Sequence, residues 1–178
     1  QVQLNETGLT TASEQSVPLT MNHPVKELIW TLNDDDKKEL QNQWYNYTNT
    51  SSFERTDENS IDYTTTLFGV EPDGDNSISS ASLQLNGNDR FAKRTGEYFS
   101  LVQPYQHHTN IPSNAGINVY SFAVKPEEHQ PSGTLNMSRI DTARLLIKPK
   151  DKGTLRVWGV NYNVLRILSG MGGLAYSN

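Results

Sequence analysis

The chain has 178 residues, of which 34% are hydrophobic and none is cysteine, and its formal net charge is −5. The length suits one domain or most of one, and the lack of cysteine excludes disulfides, thiolate catalysis and cysteine-based zinc sites. A net negative charge argues against direct binding to nucleic acid, and no apolar run reaches the roughly 20 residues of a membrane helix, so we expect no membrane insertion.

The charge is distributed unevenly along the chain. Residues 1–133 contain 8 Lys and Arg against 18 Asp and Glu, a net charge of −10, whereas residues 134–178 contain 7 against 2, a net charge of +5. The two parts either complement each other, within the fold or between subunits, or form a basic face towards a polyanion. The sequence starts at Gln1 without an initiator methionine or a signal peptide, so we expect a fragment or a processed product.

The first third of the chain predicts two strands and a long polar segment. Residues 16–21 form a short predicted strand that ends near Pro24, because proline cannot donate to a central ladder. Alternation predicts a second strand over residues 25–32. Residues 33–66 form a predicted surface insertion, with a short helix possible at its start. Its polar part, residues 33–60, is expected to face outward.

Strand and turn signals then alternate as far as one helix. Residues 64–70 predict a returning strand, and residues 71–75 have the composition of a turn. A strand over residues 78–85 leads into Asn86-Gly87, and the spacing of apolar residues from 91 to 102 predicts a short helix.

Strands dominate the rest of the chain. They are predicted over residues 117–124, which are apolar on both faces, and over 135–140, 142–148 and 154–168, followed by a small, flexible tail at 169–178. Many short strands, Gly and Pro turns and one or two short helices predict an all-β jelly-roll sandwich. We expect the core to contain Ile29, Trp30, Val119, Tyr120, Phe122, Leu145, Ile147, Val157, Val160, Leu165 and Ile167.

Glu127, Glu128 and His129 could form an acid–base cluster, but general acid–base catalysis needs carboxylates held in a cleft. These residues lie between Pro126 and Pro131, which favours a rigid, exposed turn.

Metal sites are weakly indicated. His107 and His108 with His129 could bind a metal, yet adjacent residues of a strand point to opposite faces. The acidic runs 34–36 and 73–75 lack the spacing of a calcium-binding EF-hand loop. We therefore predict no catalytic, cofactor or metal site.

Several blocks together resemble the major capsid proteins of nucleocytoplasmic large DNA viruses. They occur in the order of that family and cover most of the chain after Asn22. The blocks are 22-NHPVKELIW-30, 85-LNGNDRF-91, 98-YFSLVQPYQHHTNIP-112, 116-GINVYSFAVKPEEHQPSGTLNMSRID-141 and 161-NYNVLRILSGMGGLAYSN-178. Residues 33–66 match no block of the family.

The resemblance implies a double jelly roll, with residues 1–178 as most of the second, C-terminal jelly roll and its first strand lying upstream of Gln1. It also implies homotrimers that act as pseudo-hexagonal capsomers, contacts with neighbouring capsomers and with minor capsid proteins beneath the shell, and a place in the virion after assembly in the host cytoplasm. Expressed alone, residues 1–178 are then expected to be marginally stable or to associate through an open sheet edge.

The same resemblance identifies an assembly loop. Two prolines would lower the entropy lost on ordering it, and a glycine would permit a tight reversal into the next strand. The loop and its flank comprise Lys125, Pro126, Glu127, Glu128, His129, Pro131, Gly133, Arg139 and Asp141. Arg139 or Asp141 could bridge to a neighbouring strand.

Two alternatives stay open at this point. The chain could be a glycan- or receptor-binding jelly-roll module that stacks sugars on Trp44, Tyr45 and Tyr47. It could also be a cupin-like metalloenzyme, although the His-x-His pattern of that class is absent.

Overall fold

The computed structural model describes residues 1–11, 13–34, 46–49 and 74–176. Strands dominate these residues, and short helices occupy little of them. The elements in chain order are β1 (Val2–Leu9), β2 (Gln15–Pro18), β3 (Pro24–Asn33), β4 (Ile78–Leu85), β5 (Asn88–Asp89), β6 (Arg94–Thr95), a π-helical turn (Tyr98–Val102), α1 (Gln103–His107), β7 (Asn118–Ser121), β8 (Leu135–Asn136), a 3-10 helix (Met137–Arg139), β9 (Ala143–Pro149), β10 (Gly153–Asn161), β11 (Leu165–Leu168) and β12 (Met171–Leu174).

Two antiparallel five-stranded sheets form a sandwich. The first has the order β1-β10-β3-β7, with β8 also paired to β3, and the second has the order β2-β9-β4-β5, with β6 also paired to β4. The first four strands alternate between the sheets, and so do β9 and β10, so that spatial neighbours come from distant parts of the chain. This topology confirms the predicted all-β jelly roll. Whether another strand precedes β1 stays a prediction.

The core lies between the inner faces of the two sheets, to which every second residue of a strand points. Leu28, Trp30 and Leu32 of β3 are buried there, and the ring of Phe99 from the π-helical turn lies 5.1 Å from that of Trp30. Four of the predicted core residues are confirmed as members of this core, namely Trp30, Leu145, Ile147 and Val157. Val119 is also buried, but it pairs with Ile29 on the outer face of the first sheet. Tyr120 and Phe122 are partly buried and pack against this core.

Four other predicted core residues lie elsewhere. Ile29 and Val160 are half-buried on the outer face of the first sheet, where Ile29 pairs with Trp158. The assignment of Leu165 and Ile167 to the core is wrong, because these side chains are 65% and 64% exposed.

The apolar run from residue 154 to 168 is not one strand. The ladder shifts register at Val160/Asn161, and the Tyr162 amide then donates to the Pro24 carbonyl at 2.9 Å. The Asn163 side chain accepts from the Val164 amide at 2.8 Å. The remainder forms a separate β11–β12 hairpin around Ser169 and Gly170, both at positive φ, as a two-residue hairpin turn requires. The predicted flexible tail is therefore partly a strand.

Several other element boundaries differ from prediction. The helix begins at Tyr98 and extends to His107, because Pro104 is tolerated in the first turn of α1. Phe91 lies outside it but packs on Phe99 and Tyr120. The predicted strand 135–140 reduces to β8, since the Asn136 side chain accepts from the Ser138 amide and starts the 3-10 helix.

The two ends of segment 50–73 are joined by buried polar groups. We call Asn46, Thr48, Asn76 and Asn118, all buried, the amide clamp. The Asn76 side-chain amide donates to Asn118 Oδ1 at 2.6 Å, and Asn76 Oδ1 accepts from the Ile78 amide at 2.9 Å. Asn46 Oδ1 accepts from the Thr48 hydroxyl at 2.7 Å.

Backbone contacts extend this junction. Thr48 and Asn76 form an antiparallel bridge, and the Ser77 hydroxyl donates to the Tyr47 carbonyl at 2.7 Å. The prediction that residues 33–60 face outward is therefore wrong for Asn46 and Thr48, which are buried. Residues 35–45 and 50–66 of the insertion lie outside the described residues, as does the predicted strand 64–70.

Two leucines of the same chain test the core assignment. In the 178-residue chain we expect Leu145→Ala to lower the free energy of unfolding by about 2–5 kcal/mol, because Leu145 is 1% exposed. Leu165→Ala, at an exposed position, should change it by less than about 0.5 kcal/mol. Urea unfolding followed by tryptophan fluorescence measures both, and equal losses would contradict the assignment.

Gly116 tests the junction. A Cβ at Gly116 would lie 1.8 Å from the Tyr47 carbonyl oxygen, whereas a Cβ at Gly8 would meet no atom within 4 Å. We expect Gly116→Ala to destabilise the fold by roughly 1–3 kcal/mol and Gly8→Ala to have little effect in the same unfolding measurement. Similar stabilities for the two variants would show that the close approach is not required.

Candidate assembly site

The predicted assembly loop, residues 125–133, is closed at its base by its own chain. The Lys125 amide donates to Ser132 Oγ at 2.9 Å, and the Ser132 hydroxyl donates back to the Lys125 carbonyl at 3.1 Å. The Lys125 ammonium pairs with Glu128 at 2.9 Å. Gly133 has φ 147°, and a Cβ there would lie 2.9 Å from the Phe122 carbonyl oxygen. Glycine is therefore required at the exit of the loop.

The start of β3 holds the entrance of the loop. The Lys26 carbonyl accepts from the Phe122 amide at 2.9 Å and from the Ala123 amide at 3.2 Å. The Lys26 ammonium donates to the Pro126 carbonyl and lies 5.6 Å from the centre of the Tyr162 ring. Pro126 itself is buried. One lysine thus joins the central strand to the loop through its backbone and its side chain.

The end of α1 and the residues that follow it also hold the loop. His107 Nδ1 lies 2.9 Å from the Val124 carbonyl, which can only accept, so this nitrogen carries the proton. The Thr109 amide donates to the Glu127 carboxylate at 3.0 Å, and the Thr109 hydroxyl donates to the same oxygen. These two hydrogen bonds hold the pKa of Glu127 below its ordinary value, because they favour the ionised carboxylate.

A nearly buried hydrogen bond between His108 and Glu27 fixes that segment over the sheet. His108 Nε2 lies 2.8 Å from Glu27 Oε2, and both side chains are nearly inaccessible. Gln103 accepts from the Ser121 amide at 3.1 Å and donates to the Tyr98 hydroxyl at 2.9 Å. Its side chain therefore satisfies a backbone donor at the edge of β7, where α1 covers the sheet edge.

The structure brings together only part of the predicted site. Lys125, Glu127, Glu128, His129 and Pro131 are exposed on the loop. Arg139 belongs to the 3-10 helix and Asp141 to the entry of β9. Neither side chain forms an ion pair among the described residues, so the suggested bridge to a neighbouring strand is not seen. The Asp141 backbone amide instead donates to Asn86 Oδ1 at 2.9 Å.

Sequence reasoning missed Lys26 and Thr109, which hold the loop in place, and it gave His107 and Ser132 no part in holding it. Ser132 lies within the loop, and no spacing motif marks the other three.

The described residues contain no group of three or more His, Asp or Glu side chains that could hold a metal ion. His107 and His108 bind different partners, and His129 lies exposed on the loop. No helix in the same part of the chain is long and apolar enough to cross a membrane. Trp44 and Tyr45 of the glycan alternative lie outside the described residues, whereas the Tyr47 carbonyl is part of the buried junction.

The Glu127–Thr109 contact predicts a pH dependence. A carboxyl group with a lowered pKa stabilises the folded contact above its ordinary pKa of 4.5, and that contribution is lost as the pH falls through the lowered value. Amide hydrogen exchange of Thr109, corrected for the intrinsic effect of pH, should therefore lose protection as the pH falls below 4.5 and through the lowered pKa of Glu127. In Glu127→Gln, protection should be weaker and independent of pH. Unchanged protection in the wild type would contradict the contact.

A model of the large eukaryotic DNA virus major capsid protein family matches residues 1–173. The major capsid protein of Pyramimonas orientalis virus is 44% identical over 200 residues, which cover 99% of this chain and 42% of that protein. The major capsid protein of Paramecium bursaria Chlorella virus 1 is 38% identical over 197 residues, which cover 95% of this chain and 44% of that protein.

Solved structures agree with this result. A chain of the PBCV-1 virus capsid superposes with a TM-score of 0.79 at 34% identity, covering 100% of this chain and 50% of that one. The Faustovirus major capsid protein, with a TM-score of 0.67 at 16% identity, shares the fold. The present chain thus spans about half the length of the relatives that it matches. Since the family model covers nearly all of it, the chain belongs to the major capsid protein family of large eukaryotic DNA viruses.

Proposed function

We propose that this chain is the C-terminal jelly-roll unit of a structural major capsid protein. Homotrimers of the whole protein form pseudo-hexagonal capsomers that tile an icosahedral shell, assembled in the host cytoplasm. Neighbouring capsomers and minor capsid proteins beneath the shell are its partners, and it makes no direct contact with nucleic acid. Family membership supports the structural role, and the relatives' double length supports a second unit in the same polypeptide.

One observation supports assembly through residues 125–133 most directly. The loop has exposed charged side chains, yet its backbone is held by Lys26, by His107 and by Ser132. A loop with a fixed shape loses little entropy when it binds, so more of its contact energy appears as affinity. A shell also needs the same contact in every copy. The described geometry therefore fits a contact surface better than a catalytic loop, which needs a cleft and convergent groups.

The proposal is tested with the full-length capsid protein. Size-exclusion chromatography with light scattering should show trimers, and electron microscopy should show hexagonal capsomers under assembly conditions. A stable monomer that never forms capsomers would overturn the proposed function.

One variant and a matched control test whether residues 125–133 take part in assembly. Lys26→Met keeps an apolar stem but removes the bond to the Pro126 carbonyl, so the loop should exchange amide hydrogens faster and assembly should be impaired. Lys93→Met removes only the partly exposed ion pair with Glu14, worth about 0–1 kcal/mol, and should assemble like the wild type. Normal assembly of Lys26→Met, despite a measurably looser loop, would exclude the loop from the contact.

A further inference from the structure

Among the described residues, none covers the β11–β12 hairpin. All eight of its strand residues are exposed. The exposed apolar side chains are Leu165, Ile167, Leu168, Met171 and Leu174. An isolated two-stranded hairpin is only marginally stable in water, and contiguous exposed apolar surface marks a contact site. The hairpin therefore has the composition of an element that is buried by another body.

A second apolar feature lies on the outer face of the first sheet. Val2 and Leu4 of β1 are exposed and pair with Val160 and Trp158 of β10. Trp158 pairs in turn with Ile29 of β3. Directly paired residues share a face of the sheet, so an apolar row crosses three strands. The exposed fraction of the side chains in this row decreases from β1 towards β7, where Val119 is buried. The uncovered part of the row is therefore on the β1 side.

The row and the hairpin meet at the first residue of the chain. The Gln1 backbone nitrogen donates to the Asn161 carbonyl at 3.1 Å, and the Asn163 side chain donates to Gln1 Oε1 at 2.7 Å. The ring of Tyr176, just after β12, stacks on His23 at 5.4 Å. On the same face, the pair next to Leu4 and Trp158 is Glu6 and Arg156, which form an ion pair. An apolar centre with a charged rim is the usual pattern of a protein contact surface.

We propose that this surface, formed by the β11–β12 hairpin and by Val2, Leu4, Trp158 and Val160, is covered by the β-sandwich that precedes this unit in the same polypeptide. The inference rests on the proposed function, in which the whole protein is about twice as long as this chain. The PBCV-1 capsid chain, only 50% of which is covered here, supports that length.

The position of Gln1 favours an occupant from the same chain over a second copy. Any preceding polypeptide enters through Gln1, which is hydrogen-bonded at the foot of the hairpin and is followed directly by Val2 and Leu4. A tethered partner acts at an effective concentration in the millimolar range for a short linker. A second copy has no such proximity.

Cross-linking in the full-length capsid protein tests this assignment. The photo-reactive amino acid p-benzoylphenylalanine replaces Ile167, and the assembled protein is irradiated and analysed by denaturing gel and peptide mass spectrometry. We expect a product of single-chain mass in which position 167 is joined to a peptide upstream of Gln1. The same amino acid in place of Asn88, exposed in the other sheet, should give no such product.

Thiol labelling of the same protein supplies a second readout. Ile167→Cys should lose maleimide labelling, while Asn88→Cys labels fully. A cross-linked product of doubled mass, a joined peptide within residues 1–178, or full labelling of Ile167→Cys would overturn the proposal. Light scattering on the same samples separates this result from the proposed function. If the protein forms trimers but Cys at position 167 is fully labelled, only the proposal that this surface is covered is refuted. If a single-chain cross-link forms in a protein that never forms trimers, only the proposed capsomer function is refuted.

Discussion

The structure depends on burying both faces of β3, the central strand of the first sheet. Leu28, Trp30 and Leu32 point into the core, as in any sandwich strand. The outward residues Glu27 and Thr31 are also buried, and buried polar groups must find partners. Glu27 finds His108, so the chain after α1 has to cross the outer face of the sheet at this point. The position of that crossing brings His107 and Thr109 to the loop at 125–133.

Consequently, the shape of the loop is imposed largely from outside the loop. Its two prolines limit the conformations of the unfolded chain, but the contacts that select one conformation come from β3 and from the end of α1. Each of these hydrogen bonds contributes only about 1 kcal/mol, and several of them lie near the surface. Acting together on a short segment, they fix its backbone while His129 and the Lys125–Glu128 ion pair stay exposed to another molecule.

The sequence predicted the strands whose inward side chains are apolar and failed where the pattern is reversed. β3, β4 and β9 were found because their apolar residues face the core and Asn86-Gly87 marks the turn. β1 was missed because Val2 and Leu4 face outward, whereas Gln3 and Asn5 face inward. There the Asn22 amide donates to Gln3 Oε1, and the Asn5 side-chain amide donates to the Pro18 carbonyl, each at 2.8 Å.

Long-range contacts explain the other errors. The apolar pattern runs unbroken from β10 into β11, but contacts with Gln1 and Pro24 end the strand, and pairing partners more than 100 residues away are not visible in a local window. The same holds for the assembly loop. Its own residues could be recognised as a turn, whereas Lys26 and Thr109, which hold it, carry no local signal.

The amide clamp joins the parts of the chain on either side of residues 50–73. Because Asn46, Thr48, Asn76 and Asn118 hold these two parts together within the fold, a change in the number of residues between them mainly changes the entropy of closing a loop. Doubling a flexible loop costs only about 0.6 kcal/mol in closure entropy. We therefore expect the addition or removal of residues between positions 50 and 73 to have little effect on the stability of the sandwich.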